Sequence, residues 1–181
     1  MSLKKFPIMV GLLLALASVC HAAKVETRNI PSKAMKKEYP ANIITPDSYN
    51  KSDNANKKTY PVLYLLHGFS GSNRDWSTFT NVAKLADQYN MIIVCPDGAF
   101  DSWYFDVPND PTHQFETYIT REVVGFIDAN YRTIKTPAGR AITGLSMGGH
   151  GGLYLGFRHP EIYGGCGSTS GGVDLRPYPD N

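Results

Sequence analysis

The chain reads as an α/β protein built on one doubly wound, mostly parallel sheet, a three-layer sandwich. Three features of its 181 residues predict this. Strand-like and helix-like segments alternate from residue 60 onward, and right-handed crossovers turn such an alternation into one sheet covered on both faces. The strand candidates Tyr60 to Leu66 and Met91 to Cys95 are near-continuous apolar runs, which suits strands buried on both sides. Each run stops at a glycine-containing turn, His67-Gly68-Phe69-Ser70-Gly71 or Pro96-Asp97-Gly98. Those turns fall at the carboxyl edge, where open α/β sheets bind ligands.

In chain order, Val25 to Ile30 and Tyr39 to Thr45 are strand-like, and Asn50 to Lys58 is a polar surface loop. Asn73 to Tyr89 carries helical spacing, with Trp76, Phe79, Val82, Ala83, Leu85 and Ala86 on its inner side. Ala99 to Thr112 is a long loop crowded with Phe100, Trp103, Tyr104 and Phe105 among Asp101, Asp106 and Asp110. Loops of this length in compact domains are commonly functional, so a substrate-facing role is expected for it. Phe115 to Tyr131 reads as one amphipathic helix with Phe115, Ile119, Val123, Phe126 and Ile127 inward. A strand begins at Arg140, and Tyr163 to Ser168 is strand-like again. Without repeats or low-complexity segments, residues 23–181 form one expected domain.

Composition excludes some partners. Net charge is +2, with 42% hydrophobic and 19% charged residues, so no charge excess points to nucleic acid. The start, Lys4-Lys5, then the apolar run Phe6 to Val19, then Cys20-His21-Ala22, has the three parts of a secretory signal peptide. Cleavage after Ala22 gives a mature chain with no membrane span, secreted or periplasmic, and removes Lys4 and Lys5 so that its net charge falls to zero. A lipid anchor on Cys20 fits less well, because Val19 is bulky for the preceding position. Cys95 and Cys166 would remain; an exported protein could bridge them, and free thiols are the preferred reading.

The chemistry centres on Arg140-Ala141-Ile142-Thr143-Gly144-Leu145-Ser146-Met147-Gly148-Gly149-His150-Gly151-Gly152. Gly144-x-Ser146-x-Gly148 fits the elbow pattern that lifts a serine hydroxyl above a sheet, with the next N–H aimed at a developing oxyanion. Three fixed positions match by chance in about one chain of this length in twenty, so the pattern alone is modest evidence. Its context is stronger: an apolar strand precedes it, and Gly148, Gly149, Gly151, Gly152 and Gly156 follow in one helix. Each would cost about 1 kcal/mol relative to alanine, which a helix accepts where its backbone lies close against something, here the sheet. The elbow glycines themselves are expected to tolerate a strained backbone.

With these residues in view, the sequence resembles the serine esterases of the α/β-hydrolase fold. Within them it is most similar to the group holding feruloyl and acetyl-xylan esterases, S-formylglutathione hydrolases and, more distantly, mycolyltransferases. The matching blocks are Tyr60 to Gly68 with Asn73-Arg74-Asp75-Trp76, then Gly144 to Gly149, then His159-Pro160-Glu161-Ile162-Tyr163. The resemblance implies that Ser146 is the nucleophile and that the backbone N–H groups of Phe69 and Met147 form the oxyanion hole. His67 then shapes its turn rather than serving as base. Such enzymes order their triad as serine, acid, histidine. His150 and His159 lie on or at the end of the helix leaving the elbow, His113 is upstream, and Asp174 and Asp180 come early for the acid. The expectation is therefore a fold lacking its C-terminal part, with the acid and base beyond Asn181, apolar sheet surface left uncovered, and no activity in this chain alone.

The implied reaction is hydrolysis of an extracellular carboxylic ester, such as a feruloyl or acetyl group on polysaccharide, through an acyl-enzyme. Trp103 and Tyr104 are the candidates to stack on its ring. An acyltransferase passing the acyl group to a sugar hydroxyl, or a non-catalytic carbohydrate-binding derivative, are the alternatives. No cofactor is implied, and Asp97, Asp101, Asp106 and Asp110 lack metal-ligand spacing.

Overall fold

The computed structural model describes residues 23–51 and 58–174. The expected signal segment, 1–22, lies outside them, as does most of the polar stretch before Lys58. Among the described residues the six strands are β1 (Lys24–Ser32), β2 (Lys37–Thr45), β3 (Val62–Leu66), β4 (Ile92–Pro96), β5 (Arg140–Gly144) and β6 (Gly165–Cys166), in the spatial order β1-β2-β4-β3-β5-β6. β1 and β2 form an antiparallel hairpin, and β2 runs antiparallel to β4. From β4 through β3 and β5 to β6 every pairing is parallel. The doubly wound sheet is thus present, with an antiparallel hairpin on one flank.

Alternation along β3 divides the core. Val62, Tyr64 and Leu66 join Ile92, Val94 and Ile142 on one face, under Tyr118, Ile119, Val123, Ile127 and Leu155 from the helices. Leu65, Ile93, Cys95 and Ile44 point the other way, against Val82 and Ala86. Leu63, Trp76, Ala83 and Met91 pack against this cluster and are only partly buried. A trough of about 610 Å³ runs along it, walled by Leu63, Leu65, Trp76, Leu85, Tyr89 and Met91. Cys95 and Cys166 are both free thiols, Cys95 buried and Cys166 exposed.

Two helices depart from the sequence reading. The segment expected as one helix over 73–89 is two, α1 (Asp75–Phe79) and α2 (Val82–Tyr89). Thr80 divides them: its backbone is extended, its hydroxyl donates to the Trp76 carbonyl, and it accepts from the Val82 N–H. The break turns Phe79 outward, to 80% exposure, instead of inward. The second departure is in residues 115–130, where α3 (Phe115–Thr117) and α4 (Val124–Asn130) flank a π-helical stretch, Tyr118–Val123. The wider π turn lets three consecutive residues, Tyr118, Ile119 and Thr120, be buried together, which a narrow α-helical stripe does not allow.

Candidate active site at the carboxyl edge of the sheet

The elbow follows from packing at the end of β5. Ser146 sits between β5 and α5 (Met147–Arg158) with φ 56° and ψ −117°, a backbone region that L-residues avoid. No described glycine has a positive φ, so the strain falls on the serine and not, as expected, on the glycines beside it. Those glycines are required for space. A Cβ on Gly144 would lie 2.5 Å from the Leu66 carbonyl oxygen, and one on Gly148 would lie 2.3 Å from it. The rest of the glycine face acts the same way: a Cβ on Gly152 would meet the Gly167 oxygen at 2.5 Å, and one on Gly156 the Cys166 Cβ at 2.3 Å. Helix α5 therefore lies backbone-to-backbone on the sheet, as its glycines predicted.

Hydrogen bonds hold the tip from both sides. The Ser146 N–H donates to Thr169 O (2.9 Å), and the Thr169 N–H donates to Gly144 O (2.9 Å). Met147, as the first residue of α5, has no intrahelical acceptor for its N–H, which is left at the positive end of the helix. Opposite stands the turn after β3. A Cβ on Gly68 would be 3.5 Å from Ser146 Cβ, so that backbone abuts the elbow. Phe69 lies on this turn, and the following N–H groups are committed, Ser70 to Phe100 O (2.7 Å) and Gly71 to Gly68 O (3.0 Å). Ser146, Phe69 and Met147 thus lie at one edge of the sheet.

The four described histidines are all engaged elsewhere. His67 is buried, accepts at Nε2 from the Gly98 N–H (2.7 Å) and donates from Nδ1 to Gly68 O (2.8 Å), so it shapes the turn. His113 pairs with Ser102 O at 3.0 Å. His150 donates to Gly172 O at 2.8 Å, stacks on Tyr154 and meets Trp103 and Phe105 edge-on. Burial holds its pKa below the ordinary value, against the opposing bond to Gly172. His159 binds Glu116 (2.7 Å) and Glu161 (3.2 Å). Burial would raise the Glu116 pKa, yet bonds from Arg158, Tyr154 and His159 outweigh it and leave the carboxyl below its usual value. Among the described residues no group of three or more His, Cys, Asp or Glu could hold a metal ion, and no helix is long and apolar enough to cross a membrane.

The two aromatic candidates separate. Tyr104 is fully buried, its hydroxyl donating to the His67 carbonyl at 3.0 Å, and burial pushes its pKa far up. Its ring supports the turn from below and cannot meet a substrate, which corrects the expectation from composition. Trp103 is partly buried against His150, with its indole N–H enclosed and unpartnered. Both residues take positive φ, 49° and 61°, so the loop turns sharply here and drives Tyr104 into the core. The exposed aromatics at the edge are instead Phe69 and Phe100, in edge-to-face contact at 4.8 Å, and Phe79. The sequence reading missed this set; the Thr80-Asn81 pair, a polar cap pattern inside a helical stretch, was the available signal for Phe79.

A mixed sheet in this order, with a strained serine between β5 and a glycine-faced helix, defines the class as the α/β-hydrolase fold. The model of the family described as "Putative esterase" matches residues 32–179, and the chain belongs to that family. An esterase of Mycobacterium tuberculosis is 36% identical over 143 residues, which are 75% of this chain and 29% of that protein. A diacylglycerol acyltransferase/mycolyltransferase of the same species is 31% identical over 159 residues, 83% of this chain and 44% of that protein. A solved ferulic acid esterase superposes with a TM-score of 0.70 at 32% identity, covering 79% of this chain and 56% of that one. The chain spans less than half the length of these two curated relatives.

Proposed function

We propose that the protein is an exported serine carboxylic-ester hydrolase acting on feruloyl or acetyl esters of polysaccharide. In this reading Ser146 Oγ attacks the ester carbonyl, and the N–H groups of Phe69 and Met147 receive the oxyanion. The alcohol leaves, an acyl-enzyme forms on Ser146, and water releases the acid. The observation that carries the reading is the Ser146 backbone, held at φ 56° between two glycines that have no room for a side chain. Strain of this kind persists only where surrounding structure enforces it, and it clusters at functional sites. In this reading the base and acid of the triad come from outside the described residues; among those residues His67 and His159 bond through both ring nitrogens, His113 through Nε2 and His150 through Nδ1. Export rests on the signal-like residues 1–22, and the ester class on the likeness to a ferulic acid esterase. The likeness to a mycolyltransferase supports a second reading, transfer of the acyl group to a sugar hydroxyl.

The test is p-nitrophenyl acetate hydrolysis by the product of the whole gene and by the 181-residue chain, each beside its Ser146→Ala variant. Turnover that vanishes on substitution supports the reading, and a silent 181-residue chain beside an active gene product supports the placing of the base. Ser146-dependent turnover by the 181 residues alone moves the base to His67, His113 or His150. Turnover indifferent to Ser146 overturns Ser146 as the nucleophile, and no turnover in any form overturns the reading in favour of a binding domain. A product yield that rises with added sugar acceptor selects the transferase.

A further inference from the structure

Ala23, the first described residue, is held on the fold by both its side chain and its main chain. It precedes β1, whose ladder with β2 begins at the pair Lys24 and Thr45. Its side chain packs on the cluster of Ile44, Leu65, Val82 and Ala86. Its main-chain nitrogen lies 2.9 Å from Asp87 Oδ2, and Asp87 Oδ1 accepts the Asp47 N–H at 2.7 Å. Asp87 stands in the last turn of α2, which holds no basic residue. A carboxylate is disfavoured at that negative end of a helix. The charges around it do not compensate. Lys51 is taken by Asp47 at 2.9 Å, and among the described residues no side-chain cation lies within ion-pair distance of Asp87. A partly buried carboxylate with two neutral donors and no cation is short of one positive charge.

Building on the reading of residues 1–22 as an export signal, we infer that Asp87 is the binding site of the mature chain's α-ammonium, formed when cleavage after Ala22 frees the Ala23 nitrogen. In that step a leader peptidase of the exporting cell adds water across the peptide bond. The hydroxyl goes to the Ala22 carbonyl carbon and the hydrogen to the Ala23 nitrogen, which takes a further proton from solvent. A neutral donor becomes a cation in place, so loss of the leader tightens the hold of α2 and the turn after β2 on the start of β1. Neither neighbouring start does this. A chain beginning at Cys20 keeps Ala23 as a neutral amide, and one beginning at Lys24 loses the nitrogen bound to Oδ2.

The test exports the product of the whole gene on its own leader and reads the first residue by mass spectrometry. A start at Ala23 is expected. The mature protein and its Asp87→Asn variant are then unfolded in urea at slightly acidic pH, where an α-amine is charged, each with that amine free and acetylated. Acetylation should lower the parent's folded-to-unfolded ratio about threefold, the scale of one partly exposed ion pair, and leave the variant unchanged. In the parent alone, the acetylation effect should also shrink in about 1 M salt, a check that needs no substitution. Equal acetylation effects in the two proteins, none in the parent, or an effect indifferent to salt overturns the inference. An exported chain that starts at Lys24 or Cys20 also overturns it and leaves export standing. A leader still attached to protein held in the cell removes the export reading, and the inference falls with it. None of these results bears on hydrolysis at Ser146.

Discussion

The same substitution, glycine to alanine, should act with opposite sign at two helical positions. At Gly125, within α4, an added Cβ meets nothing within 4 Å. Only the intrinsic preference operates there, and Gly125→Ala should stabilise the protein by about 0.5–1 kcal/mol. At Gly148 the same Cβ would sit 2.3 Å from Leu66 O and 2.6 Å from His67 O, about 1 Å inside ordinary contact. Both are backbone oxygens, so no side chain can swing aside, and α5 itself must retreat. Overpacking costs about 1–3 kcal/mol, and more where backbone must move. Net of the helical gain, Gly148→Ala should destabilise by about 2 kcal/mol. Urea unfolding followed by far-ultraviolet circular dichroism measures both against the parent. A Gly148→Ala value within about 0.5 kcal/mol of the parent would refute the close contact between α5 and β3. The retreat would also separate the Met147 N–H from that of Phe69, and a misplacement near 1 Å costs about 10²-fold in rate.

Three further outcomes follow from features around the site. Ser146→Gly should raise stability by about 1 kcal/mol, because glycine takes φ 56° without strain; an unchanged urea midpoint would deny that the serine is strained. Tyr104→Phe leaves the buried His67 carbonyl without its hydroxyl partner and should cost about 1–3 kcal/mol in the same unfolding measurement. His150 has a folded pKa below its ordinary value of 6.5, so the unfolded chain takes up its proton first as pH falls. The contribution from keeping it neutral is full above 6.5 and is lost from there down to the folded value. His150→Phe should therefore lose less stability than the parent between pH 7 and pH 5, and equal slopes would contradict the assignment.

The sheet was legible because its information is local. The apolar runs at 62–66 and 92–95 and the turns that end them need no knowledge of partners. The elbow was legible for the same reason, as small residues at fixed spacing around Ser146. What escaped was set by distant contacts. Tyr104 is buried because Gly98 and Gly151 leave room for its ring, where a Cβ on either would come within 2.5 Å of it. Residues 98, 104 and 151 show no relation until the chain is folded. The break at Thr80 rests on one hydroxyl bridging two backbone groups, a weak local preference that the amphipathic pattern over 73–89 masked. The π stretch after Thr117 likewise answers to the need to bury Tyr118 beside Tyr39, 79 positions earlier.

The glycine face of α5 also bears on how this family can diversify. A helix that meets the sheet through side chains can be re-tuned by swapping one apolar group for another, and its tilt drifts with each exchange. At Gly148, Gly152 and Gly156 no such exchange exists, since the smallest addition already collides. New specificity must instead come from segments outside the helix, such as the short α1 with Phe79 and the loop bearing Phe100. The serine keeps its place while the walls around it are free to be rewritten.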